Sequence, residues 1–180
     1  YHRTHEMPVV VVRPFNTYGP RSHYEGDSGE VIPRTVVRML AGEAPIVFGD
    51  GEQTRDFMYV ADTARAIALL GHLEGIEGET FNLGTGTETS INDIVLMLAQ
   101  ELDQLDLSPR YLGGRPGDVR RLHGDPRKIE QLTGFEAHTD MAEGLHHLVE
   151  HLRSEPEGIE QMLAQVEERN WLSRSSAGVG

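Results

Sequence analysis

Apolar residues change their spacing from stretch to stretch along this chain, and the spacing sorts them into elements. Residues 9–12 are four consecutive valines closed by Pro14 and by Gly19-Pro20, the pattern of a strand buried on both faces of a parallel sheet. From Glu30 onward Ile32, Val36, Met39 and Leu40 recur at helical spacing, with Pro33 in the first turn and Gly42 as the stop. Residues 46–48 make a short apolar strand. Gly49-Asp50-Gly51 is expected to turn it into a second strand over 54–60, where Phe57 and Tyr59 alternate with Met58. Asp62 stands where it would cap a helix carrying Ala64, Ile67, Ala68 and Leu70 and ending near Gly71.

Residues 81–83 form the next strand. Ser90 followed by Asp93 has the form of a capping box, and Ile91, Ile94, Val95, Leu98 and Leu102 then hold one face of a long helix. A brief strand at 110–112 precedes the glycine-proline loop 113–117. Asp125-Pro126 opens a short helix stopped by Gly134. Thr139 or Asp140 caps a helix with Met141, Leu145, Leu148, Val149 and Leu152 inward, and Pro156 starts a last one for which Trp171 is the docking anchor. Residues 1–7 read as the tail of a helix without a cap, so the chain is expected to begin in mid-fold, with a preceding half elsewhere.

Composition narrows the classes. A chain of 180 residues with 38% hydrophobic content can build a real core, and it contains no cysteine. The sequence holds no apolar run long enough to span a bilayer, so cytoplasm is the expected compartment and a membrane is excluded as partner. A formal charge of −13 argues against nucleic acid as partner, whose phosphates need clustered positive charge. An anionic small ligand would have to be met by local arginines. Lys128 is the sole lysine, and the arginine fork grips phosphate and carboxylate with two bonds.

Four groups of residues carry possible chemistry. After the valines come Arg13, Asn16, Thr17, Tyr18 and Arg21, at the carboxyl end of a strand, where open α/β sheets place their ligands. Gly84-Thr85-Gly86 lies between a strand and a helix like a dinucleotide loop, but Thr89 replaces the last glycine, and a tight left-handed turn is the expected reading. His147 and His151 with Glu143 share a helix stripe on the solvent side, which points to no metal site. Arg55 and Arg115, each beside a glycine turn, would make a diphosphate clamp if they converged with Asn16; Asp56 and Asp118 are the alternative partners in ordinary ion pairs.

Taken together, these stretches resemble the NAD-dependent epimerase/dehydratase family, the extended short-chain dehydrogenases that act on nucleotide sugars. The resemblance rests on Arg13-Pro14-Phe15-Asn16-Thr17-Tyr18-Gly19-Pro20-Arg21, Val31-Ile32-Pro33, Phe48-Gly49-Asp50-Gly51 through Thr54-Arg55-Asp56-Phe57, Val60 with Asp62, Phe81-Asn82-Leu83-Gly84 and Arg115-Pro116-Gly117-Asp118, in that order, and covers about residues 1–152. It implies an α/β fold consisting of the last strands of a Rossmann-type parallel sheet plus the smaller α/β substrate-binding lobe, the N-terminal NAD-binding half lying outside this chain. Residues 1–22 would close the Rossmann sheet and form the substrate loop. Residues 23–152 would be the substrate lobe, with a returning sheet strand near 81–83; residues 153–172 would form a C-terminal helix and 173–180 a disordered tail.

By the same resemblance Pro14 and Phe15 would touch the nicotinamide end of NAD. Asn16 would meet the sugar-nucleotide phosphates, Glu30 and Val31 the substrate flap, and Ile46, Val47 and Phe48 the base and ribose; Arg55 and Arg115 would bind the diphosphate, with Asp118 near the ribose. Glu30 replaces the family's usual amide. The family's Tyr-x-x-x-Lys base pair is missing, since Gly124 stands four residues before Lys128, so no catalytic residue is expected in this segment. The expected function is the nucleotide-diphosphate-sugar-binding part of a sugar-nucleotide epimerase (an isomerase) or 4,6-dehydratase (a lyase), homodimeric at full length. The alternative is a stand-alone, non-catalytic sugar-nucleotide-binding or interaction module. Base, sugar and the choice between epimerase, dehydratase and decarboxylase stay open at this level.

Overall fold

A computed structural model of the chain describes residues 1–169; Trp171 and the tail expected at 173–180 lie outside the described residues. One helical turn, α1 (His2–His5), leads into β1 (Val11–Pro14) and β2 (Asn16–Tyr18). Then come α2 (Val31–Leu40), β3 (Ile46–Phe48), β4 (Thr54–Arg55), β5 (Phe57–Tyr59) and α3 (Val60–His72). The second half runs β6 (Thr80–Leu83), β7 (Thr89–Ser90), α4 (Ile91–Glu101), β8 (Arg110–Leu112), β9 (Arg121–Leu122), α5 (Arg127–Thr133), α6 (Met141–Ser154) and α7 (Ile159–Gln165).

Three strand pairs are parallel and join distant segments: β1 with β6, β2 with β5, and β3 with β8. A three-stranded patch has β4 in the centre, antiparallel to β7 and parallel to β9. Two apolar clusters hold these layers. The larger joins α2, α4 and α6 through Ile32, Val36, Ile94, Leu98, Leu145 and Leu148. The smaller lies under α3, β6 and α5, around Met58, Leu70, Phe81, Leu83 and Ile129.

The helices form where the spacing puts them. Ser90 accepts from the Asp93 N–H at 3.0 Å while the Asp93 carboxylate accepts from the Ser90 N–H at 3.3 Å, a complete capping box on α4. Asp140, not Thr139, caps α6 by accepting from the Glu143 N–H at 2.8 Å, and Gly134 ends α5 in the left-handed conformation. Asp62 departs from expectation. Helix α3 already starts at Val60, and the buried Asp62 carboxylate accepts from the N–H groups of His138 and Thr139 and from Arg65, tying the strand-helix junction to the approach of α6.

Three strand expectations need correction. The first strand is Val11–Pro14 rather than 9–12, because its ladder begins where the Val11 N–H meets the Glu79 carbonyl. It is also not buried on both faces: Val11 is 47% exposed, since only the smaller cluster covers this pair of strands. No hairpin joins residues 46–48 to 54–60. The Gly49 to Gly51 turn forms, but β3 turns away to pair with β8, and the second strand breaks at Asp56, whose carboxylate is drawn inward. Because β1 has only β6 beside it among the described residues, concentrated protein is expected to self-associate through this edge. Sedimentation should show species above monomer; a monodisperse monomer at high concentration would contradict it.

Helix α6 needs a glycine where it crosses β2. A Cβ at Gly144 would stand 2.1 Å from the Tyr18 hydroxyl oxygen. Gly→Ala inside a helix ordinarily stabilises by about 0.4–1 kcal/mol. Here the overpacked ring reverses the sign, and Gly144→Ala is expected to cost about 1–3 kcal/mol by denaturant titration. Tyr18→Phe in the same chain should restore part of the loss.

Candidate functional site

The site is assembled on Asp56. Its backbone N–H donates to the Leu122 carbonyl, and its own carbonyl accepts from both the backbone and side-chain amides of Asn16, at 3.1 and 3.3 Å. The carboxylate is wholly buried and accepts four hydrogen bonds. Thr85 N–H and Thr85 hydroxyl reach one oxygen at 2.8 Å each, while the Gly86 and Gly124 N–H groups reach the other at 3.0 Å. Glycine is required at two places around it, because a Cβ at Gly84 would lie 2.4 Å from the carboxylate and one at Gly124 would lie 3.0 Å from the Phe15 ring. The Gly84 to Gly86 turn is therefore an anion nest whose anion is the protein's own. It cannot serve a dinucleotide pyrophosphate as well. Asp56 is not the partner of Arg55.

In front of this hub lies a cavity of about 610 Å³. One wall is Phe15, Asn16, Thr17 and Tyr18 at the end of β1 and along β2; another is the first turn of α2 from Glu30 to Pro33. Ile46, Phe48 and Gln53 close it near β3, and Arg55, Arg115 and Asp118 complete the rim. The structure thus brings together Phe15, Asn16, Glu30, Val31, Ile46, Phe48, Arg55, Arg115 and Asp118. It does not bring Pro14, exposed at the strand end, or Val47, which alternation turns into the core.

Two further arginines line the same space. Arg34 and Arg38, four residues apart on α2, flank its apolar stripe, a spacing visible in the sequence once that helix is assigned to the ligand. Arg34 donates to the Glu167 and Glu168 carbonyls, but its Nε is buried without a hydrogen-bond partner among the described residues. Burial, then the neighbouring Arg115 and Arg38 charges, lower its pKa from the ordinary value, with Glu167 opposing. Three guanidinium groups thus crowd one region of a strongly acidic protein. Like charges held together in this way are stabilised by an anion between them.

The charged groups here also have partners within the protein. Arg38 pairs with Glu43 at 2.7 Å and donates to the Ala44 carbonyl at 2.9 Å. Arg55 donates to the Thr54 and Val119 carbonyls at 2.7 and 2.9 Å and pairs with Asp118, so it fastens the loop that carries Arg115. Glu30 precedes α2 without capping it through its side chain. Burial at the cavity lip raises its carboxyl pKa, against the pull of His23 and a hydrogen bond from Ser22. The first turn of α2, which has no side-chain cap, borders the cavity, and its open N–H groups are those of Val31 and Ile32, since Pro33 has none and Arg34 donates to the Glu30 carbonyl. Gln53, donating to the Phe48 carbonyl at 2.9 Å, gave no signal in the sequence.

On α6, His147 lies 3.7 Å from Glu143, and His151 lies 3.2 Å from Glu155 just past the helix end, away from the cavity. Among the described residues no group of three or more His, Asp or Glu side chains is arranged to hold a metal ion, and no helix is long and apolar enough to cross a membrane.

Residues 1–84 match the profile of a family described as "NAD dependent epimerase/dehydratase family". A UDP-glucose 4-epimerase of Mycolicibacterium smegmatis is 32% identical over 154 residues, covering 86% of this chain and 48% of that protein. The dTDP-glucose 4,6-dehydratase 1 of Escherichia coli K12 is 31% identical over 183 residues, covering 98% of this chain and 49% of its own length. Among solved structures, a UDP-glucose 4-epimerase of Thermotoga maritima with UDP-glucose superposes with a TM-score of 0.79 at 37% identity, covering 84% of this chain and 48% of that one. The chain is related to the NAD-dependent nucleotide-sugar epimerases and dehydratases, has their α/β fold with parallel strands, and spans about half the length of the curated relatives it matches.

Proposed function

We propose that this chain is the nucleotide-diphosphate-sugar-binding part of an NAD-dependent sugar-nucleotide epimerase or 4,6-dehydratase. The observation that carries the reading is the convergence of Arg34, Arg38 and Arg115 with the uncapped start of α2 on one 610 Å³ cavity, in a protein of formal charge −13. Guanidinium groups lining one space beside the Val31 and Ile32 N–H groups suit a diphosphate. Asn16 is held to the Asp56 carbonyl through its backbone and side chain, so it offers a fixed contact beside that group. Arg55 is a positioning residue that holds Asp118 and the Arg115 loop.

NAD is held mainly by residues outside this chain. Among the described residues the glycine turn between β6 and β7 has its N–H groups engaged by Asp56, which leaves Pro14 and Phe15, at the end of β1, as an edge against the nicotinamide. No tyrosine precedes a lysine by four residues, so the chain binds the sugar nucleotide without supplying the base that oxidises it. A ladder of UMP, UDP and UDP-glucose, repeated with the thymidine series, tests this by calorimetry. Affinity is expected to rise most between monophosphate and diphosphate and to fall steeply with salt. Equal affinity for UMP and UDP would refute it.

A further inference from the structure

We propose that the short arm after α7, Val166 to Arg169, is an intramolecular competitor for the anion site: it holds Arg34 and lets go when a phosphoryl group takes that guanidinium. The inference rests on the reading just given, since it needs a phosphate to come to Arg34. It concerns a segment that follows the residues, about 1–152, carrying the family resemblance. Helix α7 is seated by the fully buried Met162 and closed by the Val166 N–H, which donates to the Leu163 carbonyl at 3.0 Å. The arm then runs from α2 to β8. Arg34 Nη2 donates to the Glu167 carbonyl and, at 3.2 Å, to the Glu168 carbonyl, while the Glu168 carboxylate pairs with Arg110 at 2.5 Å. At its root Glu157 accepts from Gln165 Nε2 and, at 3.0 Å, from the Tyr24 hydroxyl in the loop before α2.

The shape of a guanidinium makes arm and ligand exclusive. Its two forked edges, Nε with Nη2 and Nη1 with Nη2, share Nη2, and bidentate capture of a phosphoryl group uses one edge or the other. Nη2 of Arg34 is the nitrogen that the arm's carbonyls hold. A phosphate gripped by both prongs must therefore displace at least one of them. The exchange favours the ligand, because a bond to an anionic oxygen is roughly twice as strong as one to a neutral carbonyl. The arm's outer fastening is light, since Arg110 and Glu168 are both about half exposed. Burial first, then the Arg115 and Arg38 charges, lower the Arg34 pKa, and Glu167 is the anion that opposes them, a part a bound phosphate would take over. Competition for one group is reciprocal: the ligand must loosen the arm by as much as the arm weakens the ligand.

The test is calorimetric titration with UDP of the whole chain, of a truncation after Val166, which removes both carbonyls, and of Arg110→Ala, which frees the Glu168 carboxylate. The truncated chain is expected to bind UDP about three- to tenfold more tightly. Arg110 does not line the cavity, and Arg110→Ala should tighten binding about twofold although a cation is lost, whereas a bulk charge effect would weaken it. In the intact chain, saturating UDP should speed tryptic cleavage after Arg169 severalfold, read by mass spectrometry, which decides the matter even if the truncated chain fails to fold. Affinity unchanged or weaker in both variants, or slower cleavage with UDP, overturns the competition and leaves the diphosphate reading standing. Binding of UDP by neither the intact nor the truncated chain would remove that reading and this one together.

Discussion

Replacing Asp56 with alanine is expected to remove about 3–5 kcal/mol of stability, the largest loss for any single side chain near the site. The carboxylate is fully buried and satisfies four donors from two loops that follow it by about 30 and about 70 residues. Without it, Thr85, Gly86 and Gly124 keep N–H groups pointing into a dry space, and each unsatisfied donor costs about 1–3 kcal/mol before relaxation. The sum is trimmed as the loops rearrange and water enters, which brings it into the range measured when one partner of a buried charged contact is deleted. Against a typical total of about 5–15 kcal/mol, that loss unfolds a large share of the protein at moderate temperature. Asp56→Asn should recover less than half, because an amide presents one acceptor oxygen and turns its NH₂ toward donors on the other side. Denaturant titration with an unchanged m-value checks both variants. A midpoint for Asp56→Ala within error of the parent would mean that the loops are held by something else.

Arg115→Ala is expected to weaken sugar-nucleotide binding by about 10- to 150-fold, since charge-assisted hydrogen bonds contribute about 1.5–3 kcal/mol. Arg115 is exposed, in a glycine-proline loop, so its loss should lower the melting temperature less than the loss of the largely buried Arg55. Arg55→Ala should behave differently. Its side chain is only 12% exposed and holds Asp118 and the Val119 carbonyl, so its loss should lower both affinity and stability, because the Arg115 loop is set loose. Combining the two should cost less than the sum, as the second change removes a group the first has already displaced. On the function proposed above, either substitution in the longer protein should raise KM more than it lowers kcat, because a diphosphate held by these arginines would be remote from the reacting carbon and bound alike in ground and transition states. Fluorescence or calorimetric titration beside thermal melts separates the two roles. Unchanged affinity in Arg115→Ala would exclude that residue from the phosphate contact.

What was legible in the sequence is what local chemistry determines. The Ser90 and Asp93 pairing, the apolar stripes of α2, α4 and α6, and the Gly134 stop all depend on residues within a turn or two of one another. Strand partners do not. The glycines at 49 and 51 take positive φ as a turn demands, yet nothing nearby says that residues 46–48 will pair with 110–112 instead of with the strand that follows. The role of Asp56 is hidden in the sequence for a related reason. Standing next to Arg55 it looks like that residue's partner, whereas alternation places it on the same face as the buried Met58, where a carboxylate needs donors from elsewhere in the chain. Nothing in the sequence singles out Arg34 and Arg38, because the apolar stripe accounts for α2 and charged residues flanking such a stripe are ordinarily solvated. The candidate site was legible as loops and charges, and its hub was not.

The measurement that bears most directly on the arginine cavity as a diphosphate site is an experimental structure of this chain bound to UDP-glucose. The expected result is diphosphate density among Arg34, Arg38 and Arg115 at the start of α2, with the Asp56 carboxylate still in its nest of four donors. Diphosphate density at the Gly84 to Gly86 turn, with Asp56 displaced, or on a surface away from the three arginines, would contradict the account.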